Sequence, residues 1–159
     1  AILDTLQGVA PDNLNIKWPN DIVARDKKLA GILIQNSING AYLQHSVVGI
    51  GLNVNQKIFT YPQASSLANL CNREFDRVAL TEKLLEQIEK RYLKLRSKQL
   101  EKIKIEYLQA LYRYQSLHKY LIDGQIIEGQ IIGIDASGRL AVQIQEKLRY
   151  FNFKEIAFL

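Results

Sequence analysis

Apolar positions along the chain follow two periods, and the change between them falls after Gln115. Before it, Leu80, Leu84, Ile88, Tyr92 and Leu95 recur at helical spacing. They predict a long helix capped by Asp76 or Thr81 and running to about Leu95, with Glu86 and Lys90 as a favourable i,i+4 pair. Ile103, Tyr107, Leu108 and Leu111 predict a second helix from Gln99 to about Tyr112, and a short one is expected over Leu67 to Cys71. At the start, Ala1 to Val9 reads as the tail of an amphipathic helix with Ile2, Leu3 and Leu6 on one side. Pro11-Asp12-Asn13 is the connector, and Leu14 to Lys17 begins a strand. After Gln115 the period is two, predicting strands over Lys119–Ile122, Gln125–Ile134, Arg139–Gln145 and Lys147–Phe153. The turns between them are Asp123-Gly124, Asp135-Ala136-Ser137-Gly138 and Glu146-Lys147. The class is α+β, with one domain over 1–114 and a small barrel over 115–159.

Between these blocks lies a hairpin. Asn39-Gly40 between apolar runs is a strong type I′ turn signal. With those two residues as the loop, Lys28 falls opposite Gly51, Ala30 opposite Gly49 and Leu29 opposite Ile50. Leu29, Leu33, Val48, Ile50 and Leu52 then form a core face, and Lys28, Ala30, Gly49, Gly51 and Asn53 the other. Two glycines on one strand face weaken the strand without packing. A flat ligand close to the backbone, a bulge, or close packing of a helix each accounts for them.

The strand before this hairpin ends in Ile16-Lys17-Trp18-Pro19-Asn20-Asp21-Ile22. An unpaired lysine is costly to bury and proline removes a ladder donor, so this is a strand that ends by aiming an ammonium at a pocket and then turns. Composition adds bounds. A chain of 159 residues with formal charge +5 holds one medium domain, or one small domain with an appendage. The excess charge permits an acidic or polyphosphate ligand but is spread along the chain. Cys71 has no partner for an internal disulfide and no signal peptide is present, which favours a cytoplasmic setting. No metal-ligand spacing occurs, His45 and His118 are isolated, and no apolar run reaches membrane-spanning length. The chain contains no Met, which fits a natural start upstream of Ala1 or removal of an initiator Met before it.

Lys17-Trp18-Pro19-Asn20-Asp21, then Lys28-Leu29-Ala30-Gly31-Ile32-Leu33, then Gly49-Ile50-Gly51-Leu52-Asn53 resemble the second half of the catalytic domain of biotin–protein ligases. The strands after Gln115 resemble the SH3-like C-terminal domain of that family. The resemblance implies a partial mixed sheet of the biotin/lipoate-ligase type followed by that barrel. It implies an ATP-dependent reaction in which biotin attacks the α-phosphate with Mg²⁺ assistance. The resulting biotinyl-adenylate then biotinylates a lysine on the carrier domain of a carboxylase.

On this resemblance Lys17 is the catalytic cation between carboxylate and α-phosphate. Ala30 and Gly31 line the pocket floor, Gly49 and Gly51 give the ligand backbone-close room, and Asn53 lies near the adenine edge. Lys28 is a candidate phosphate contact, while Trp18, Asn20 and Asp21 support the turn that aims Lys17. The family's Gly/Arg-rich loop precedes this motif, and nothing between Ala1 and Lys17 corresponds to it. The expectation is the C-terminal part of a ligase, one that alone neither makes the adenylate nor binds biotin tightly. A homodimer is compatible with open sheet edges; nucleic acid enters only through a helix-turn-helix outside this chain. The competing readings are a lipoate or octanoyl transfer enzyme of the same architecture, and a non-catalytic binding module.

Overall fold

The computed structural model describes residues 1–10 and 13–159; Pro11 and Asp12 of the expected connector lie outside them. Elements run α1 (Ile2–Leu6), β1 (Leu14–Lys17), β2 (Asp21–Ala24), β3 (Lys27–Asn39), β4 (Tyr42–Leu52), α2 (Leu67–Cys71), α3 (Arg77–Arg96), α4 (Leu100–Gln109), β5 (Leu117–Ile122), β6 (Gln125–Ile134), β7 (Leu140–Ile144), β8 (Lys147–Phe151) and β9 (Ile156–Phe158). The α+β class holds, with two sheets. The chain divides into two compact units, residues 1–103 and 104–159, the division falling inside α4.

In the first unit β1-β2-β3-β4 form an antiparallel sheet in that order. Its inner face carries Ile16, Ile22, Ala30, Ile32, Ile50 and Leu52, packed with Ile2 and Leu6 of α1, Leu67 of α2 and Leu80 of α3. Ser66 caps α2 by accepting from Asn69 N–H, and Asp76 caps α3 by accepting from Val78 and Ala79 N–H. Along α3 only the first part of the expected stripe turns inward: Leu80 and Leu84 pack on the core, while Tyr92 and Leu95 are exposed. An every-fourth spacing drifts about 40° per step around a helix, so by Tyr92 the apolar side chain has left the inner face. Arg91 instead reaches α1, its Nε and a terminal nitrogen donating to Asp4 at 2.7 and 2.6 Å.

The second unit's sheet runs β8-β7-β6-β5-β9. Tyr120, Ile122, Ile131, Leu140, Val142 and Phe151 fill its core. Gly129 is where this packing is closest, since a Cβ there would stand 2.8 Å from Val142 Cγ1.

Two stability outcomes follow. Gly129→Ala is expected to cost about 1–3 kcal/mol in urea unfolding through overpacking. The Arg91 guanidinium holds the Asp4 carboxyl at about 2, below its ordinary 3.8. A depressed carboxyl stabilises the fold when ionised, so this contribution is full above about pH 4 and is lost as pH falls through 2. Asp4→Asn should remove that acid-sensitive increment, about 1–2 kcal/mol after allowance for solvent screening, from stability measured between pH 2 and 5.

Candidate active site

The site face of the first sheet is set by register. Lys17 pairs with Asp21, Asp21 with Gly31, and Gly31 with Gly51. Directly paired residues of antiparallel strands share a face, so these four form one row across the sheet. Gly49 follows on the same face, paired with Leu33. Two bulges produce this arrangement, and neither has a sequence signal.

The first bulge lies between Ser37 and Ile38: Ser37 pairs with His45 and Ile38 with Leu43, leaving Gln44 over. The loop is Gly40-Ala41, because Asn39 pairs with Tyr42. A one-residue slip exchanges the faces of every residue beyond it. The expected pairing of Lys28 with Gly51 and Ala30 with Gly49 is thereby corrected to Gly31 with Gly51 and Leu33 with Gly49. Ala30 is not pocket floor: it lies on the core face and is 1% exposed. Leu33 leaves the expected core face and is 63% exposed. Val48 keeps the face of Ile50 but is exposed, because it stands beyond the core.

The second bulge lies opposite Ile22 and Val23, which pair with Ala30 and Lys28, leaving Leu29 over. Both Leu29 and Ala30 thus enter the core, and Lys28 is returned to the side of Gly31. There Lys28 Nζ meets Asp21 Oδ1 at 2.6 Å, an ion pair over Gly31. A Cβ on Gly31 would lie 3.4 Å from that nitrogen and 3.5 Å from that oxygen. The Asp21 oxygen is closed to solvent and makes no directed hydrogen bond.

Gly49 and Gly51 differ from Gly31. A Cβ at Gly49 would meet nothing nearer than Leu33 O at 3.6 Å, and one at Gly51 nothing nearer than Gly31 O at 4.0 Å. The bulge in their ladder falls at Ser37/Ile38, away from both glycines, and among the described residues no helix atom lies within 4 Å of a Cβ built at either. Of the three explanations for paired glycines, a bulge and a close helix are removed. Open floor remains.

Lys17 is half-buried at the far end of the row, two strands from Gly31, about 10 Å by strand spacing. Lys28 Nζ stands over Gly31; by the sequence, Lys17 is the catalytic cation and Lys28 a candidate phosphate contact. Trp18 is buried. Asn20 fastens the turn to β3, its Nδ2 donating to Ile32 O at 2.8 Å while its own carbonyl accepts from Ile32 N–H. Asp21 belongs to a strand rather than to the turn, and it is ion-paired with Lys28. Asn53, just past β4, donates from Nδ2 to Ser65 O at 3.1 Å. The segment around Ser65 was not expected at the site; Ser65-Ser66 reads only as loop.

Residues 1–53 match a family model described as the biotin/lipoate A/B protein ligase family, and residues 120–159 match the biotin protein ligase C terminal domain. The biotin–[acetyl-CoA-carboxylase] ligase of Mycobacterium tuberculosis is 34% identical, over 91% of this chain and 54% of that protein. The bifunctional ligase/repressor BirA of Bacillus subtilis is 28% identical, over 94% and 47%. The chain spans about half the length of these curated relatives. Its fold is similar to that of Aquifex aeolicus biotin protein ligase without ligand, at a TM-score of 0.78, 23% identity and coverage of 99% of this chain and 70% of that one. The same ligase in complex with biotin and ATP gives a TM-score of 0.77, at 23% identity and coverage of 99% and 67%.

Because the space above them is open, Gly49→Ala and Gly51→Ala should leave stability unchanged or raise it by about 0.5–1 kcal/mol. Urea unfolding of each variant checks this; a loss above about 2 kcal/mol would mean that protein atoms fill the floor.

Proposed function

The chain belongs to the biotin protein ligase family, and we propose that it carries the part of a ligase site that brings a carboxylate and a nucleotide α-phosphate together. The observation that supports this is an ammonium, Lys28, standing over an unfilled glycine floor, with a second lysine in the same row. In the reaction, a carboxylate oxygen of biotin attacks the α-phosphorus of ATP, forming biotinyl-AMP and releasing pyrophosphate. The ε-amine of a carrier-domain lysine then attacks the acyl carbon, forming the amide and releasing AMP. Both reactants of the first step are anionic, so a cation between them orients them and offsets the charge that develops. Lys28 takes that position, and Asp21 holds its ammonium in place. Lys17, at the end of the same row, is the second candidate for this role. Loss of one such preorganised donor typically costs about 100- to 1000-fold in rate.

Gly49 and Gly51 leave backbone-close room for the flat part of the ligand, beside the Asp21–Lys28 pair over Gly31. Among the described residues no three His, Cys, Asp or Glu side chains gather to hold a metal. A Mg²⁺ ion accompanying ATP would be held largely through phosphate oxygens and water, and the chain contributes cationic side chains. The acceptor is a biotin carboxyl carrier domain. A lipoate substrate is disfavoured by the match of residues 120–159 to the biotin protein ligase C terminal domain. A second copy fits the outer edge of β4, which has no strand beside it in the sheet order and exposes Tyr42, Leu43 and Val47.

The chain spans about half the length of the curated relatives it matches, and we expect weak ligand binding by these residues alone. An NMR titration with millimolar biotinyl-5′-AMP should shift the amides of Lys17, Lys28, Gly31, Gly49 and Gly51. Shifts confined to other regions would overturn the site. Calorimetry should find no tight biotin binding, and a submicromolar dissociation constant would contradict the expectation that the site is incomplete.

A further inference from the structure

The bulge turns Lys28 over the floor while it stays paired with Val23, and a second segment holds its backbone N–H and carbonyl. Lys28 N–H donates to Gln63 O at 2.7 Å, and Lys28 O accepts from Ser65 N–H at 3.0 Å. Ala64 forms a parallel bridge to Lys28 between these bonds. The clamp is therefore a short extended piece, 63–65, whose position fixes where the ammonium starts from. Buried Ser65 is fastened in turn by Asn53, whose side-chain Nδ2 donates to Ser65 O. Asn53 itself is set by its backbone: its N–H donates to Leu29 O at 2.8 Å and its carbonyl accepts from Leu67 N–H at 3.1 Å. It thus joins the bulge residue, the clamp and the start of α2.

We propose that the side-chain amide of Asn53 is a positioning device for Lys28, acting through the Ser65 carbonyl and the 63–65 clamp. The proposal rests on the reading of Lys28 as the phosphate-facing cation. It differs from a role in reading an adenine edge, which asks an amide to donate and accept together. Here one of the two N–H bonds of the amide is directed at the Ser65 carbonyl, which fixes the orientation of the side chain.

Asn53→Asp tests this, because it keeps the shape and the acceptor oxygen but cannot donate to Ser65 O. Amide hydrogen exchange of the 159-residue chain should quicken at Lys28 and Ser65 on the order of tenfold or more, with Ile32 and Ile50 unchanged. Asn53→Ala should behave alike. In a parallel titration, biotinyl-5′-AMP should shift the Lys28 side-chain signal in the wild type and less in both variants. Wild-type exchange in Asn53→Asp, or equal acceleration over the whole sheet, would overturn the positioning role. So would a Lys28 side-chain shift that is the same in wild type and variants. If the exchange pattern appears but the probe never moves Lys28 in the wild type, the reading of the site fails while the clamp stands.

Discussion

The arrangement depends on one irregularity, the extra residue Leu29 between β2 and β3. In an unbroken ladder, alternation from Gly31 would send Lys28 into the core, where an unpaired ammonium is not tolerated. The bulge places Leu29 and Ala30 together in the core and brings Lys28 back over Gly31. Asp21, opposite Gly31 on the neighbouring strand, can then meet it at 2.6 Å. A partly exposed pair of this kind adds little to stability, so its value lies in where it holds the charge.

Glycine serves two purposes in the first sheet. At Gly31 the missing side chain lets the Asp21–Lys28 pair lie low against the strand; at Gly49 and Gly51 it leaves space that no described protein atom occupies. The exposed apolar neighbours Leu33 and Val47 border that space on the same face. A charged edge beside an apolar, backbone-floored surface suits a ligand with one anionic end and one flat end.

Much of this was legible in the sequence. The short helix over Leu67–Cys71, the long helix with Asp76 or Thr81 as its cap, of which Asp76 is the one used, and the switch to period two after Gln115 rest on local signals, and all appear. Lys28, Gly49 and Gly51 on one face also appear. What was not legible depends on bulges. The pairing of Gly31 with Gly51, the burial of Ala30 and the exposure of Leu33 follow from single extra residues at Leu29 and Gln44, which alternation cannot reveal. The strand β2 was hidden because Asp21 follows a turn triplet and reads as part of it. The role of Ser65 was invisible because it acts through backbone atoms, which any residue type supplies.

The central claim is geometric, that Lys28 stands over Gly31 in a row continued by Gly51. Cross-strand nuclear Overhauser effects measure it most directly. Contacts between the Gly31 and Gly51 backbones, together with contacts from the Lys28 ε-methylene to Gly31 Hα, are the predicted result. Contacts of Gly51 with the Lys28 backbone instead, which a two-residue Asn39-Gly40 loop would give, would contradict it.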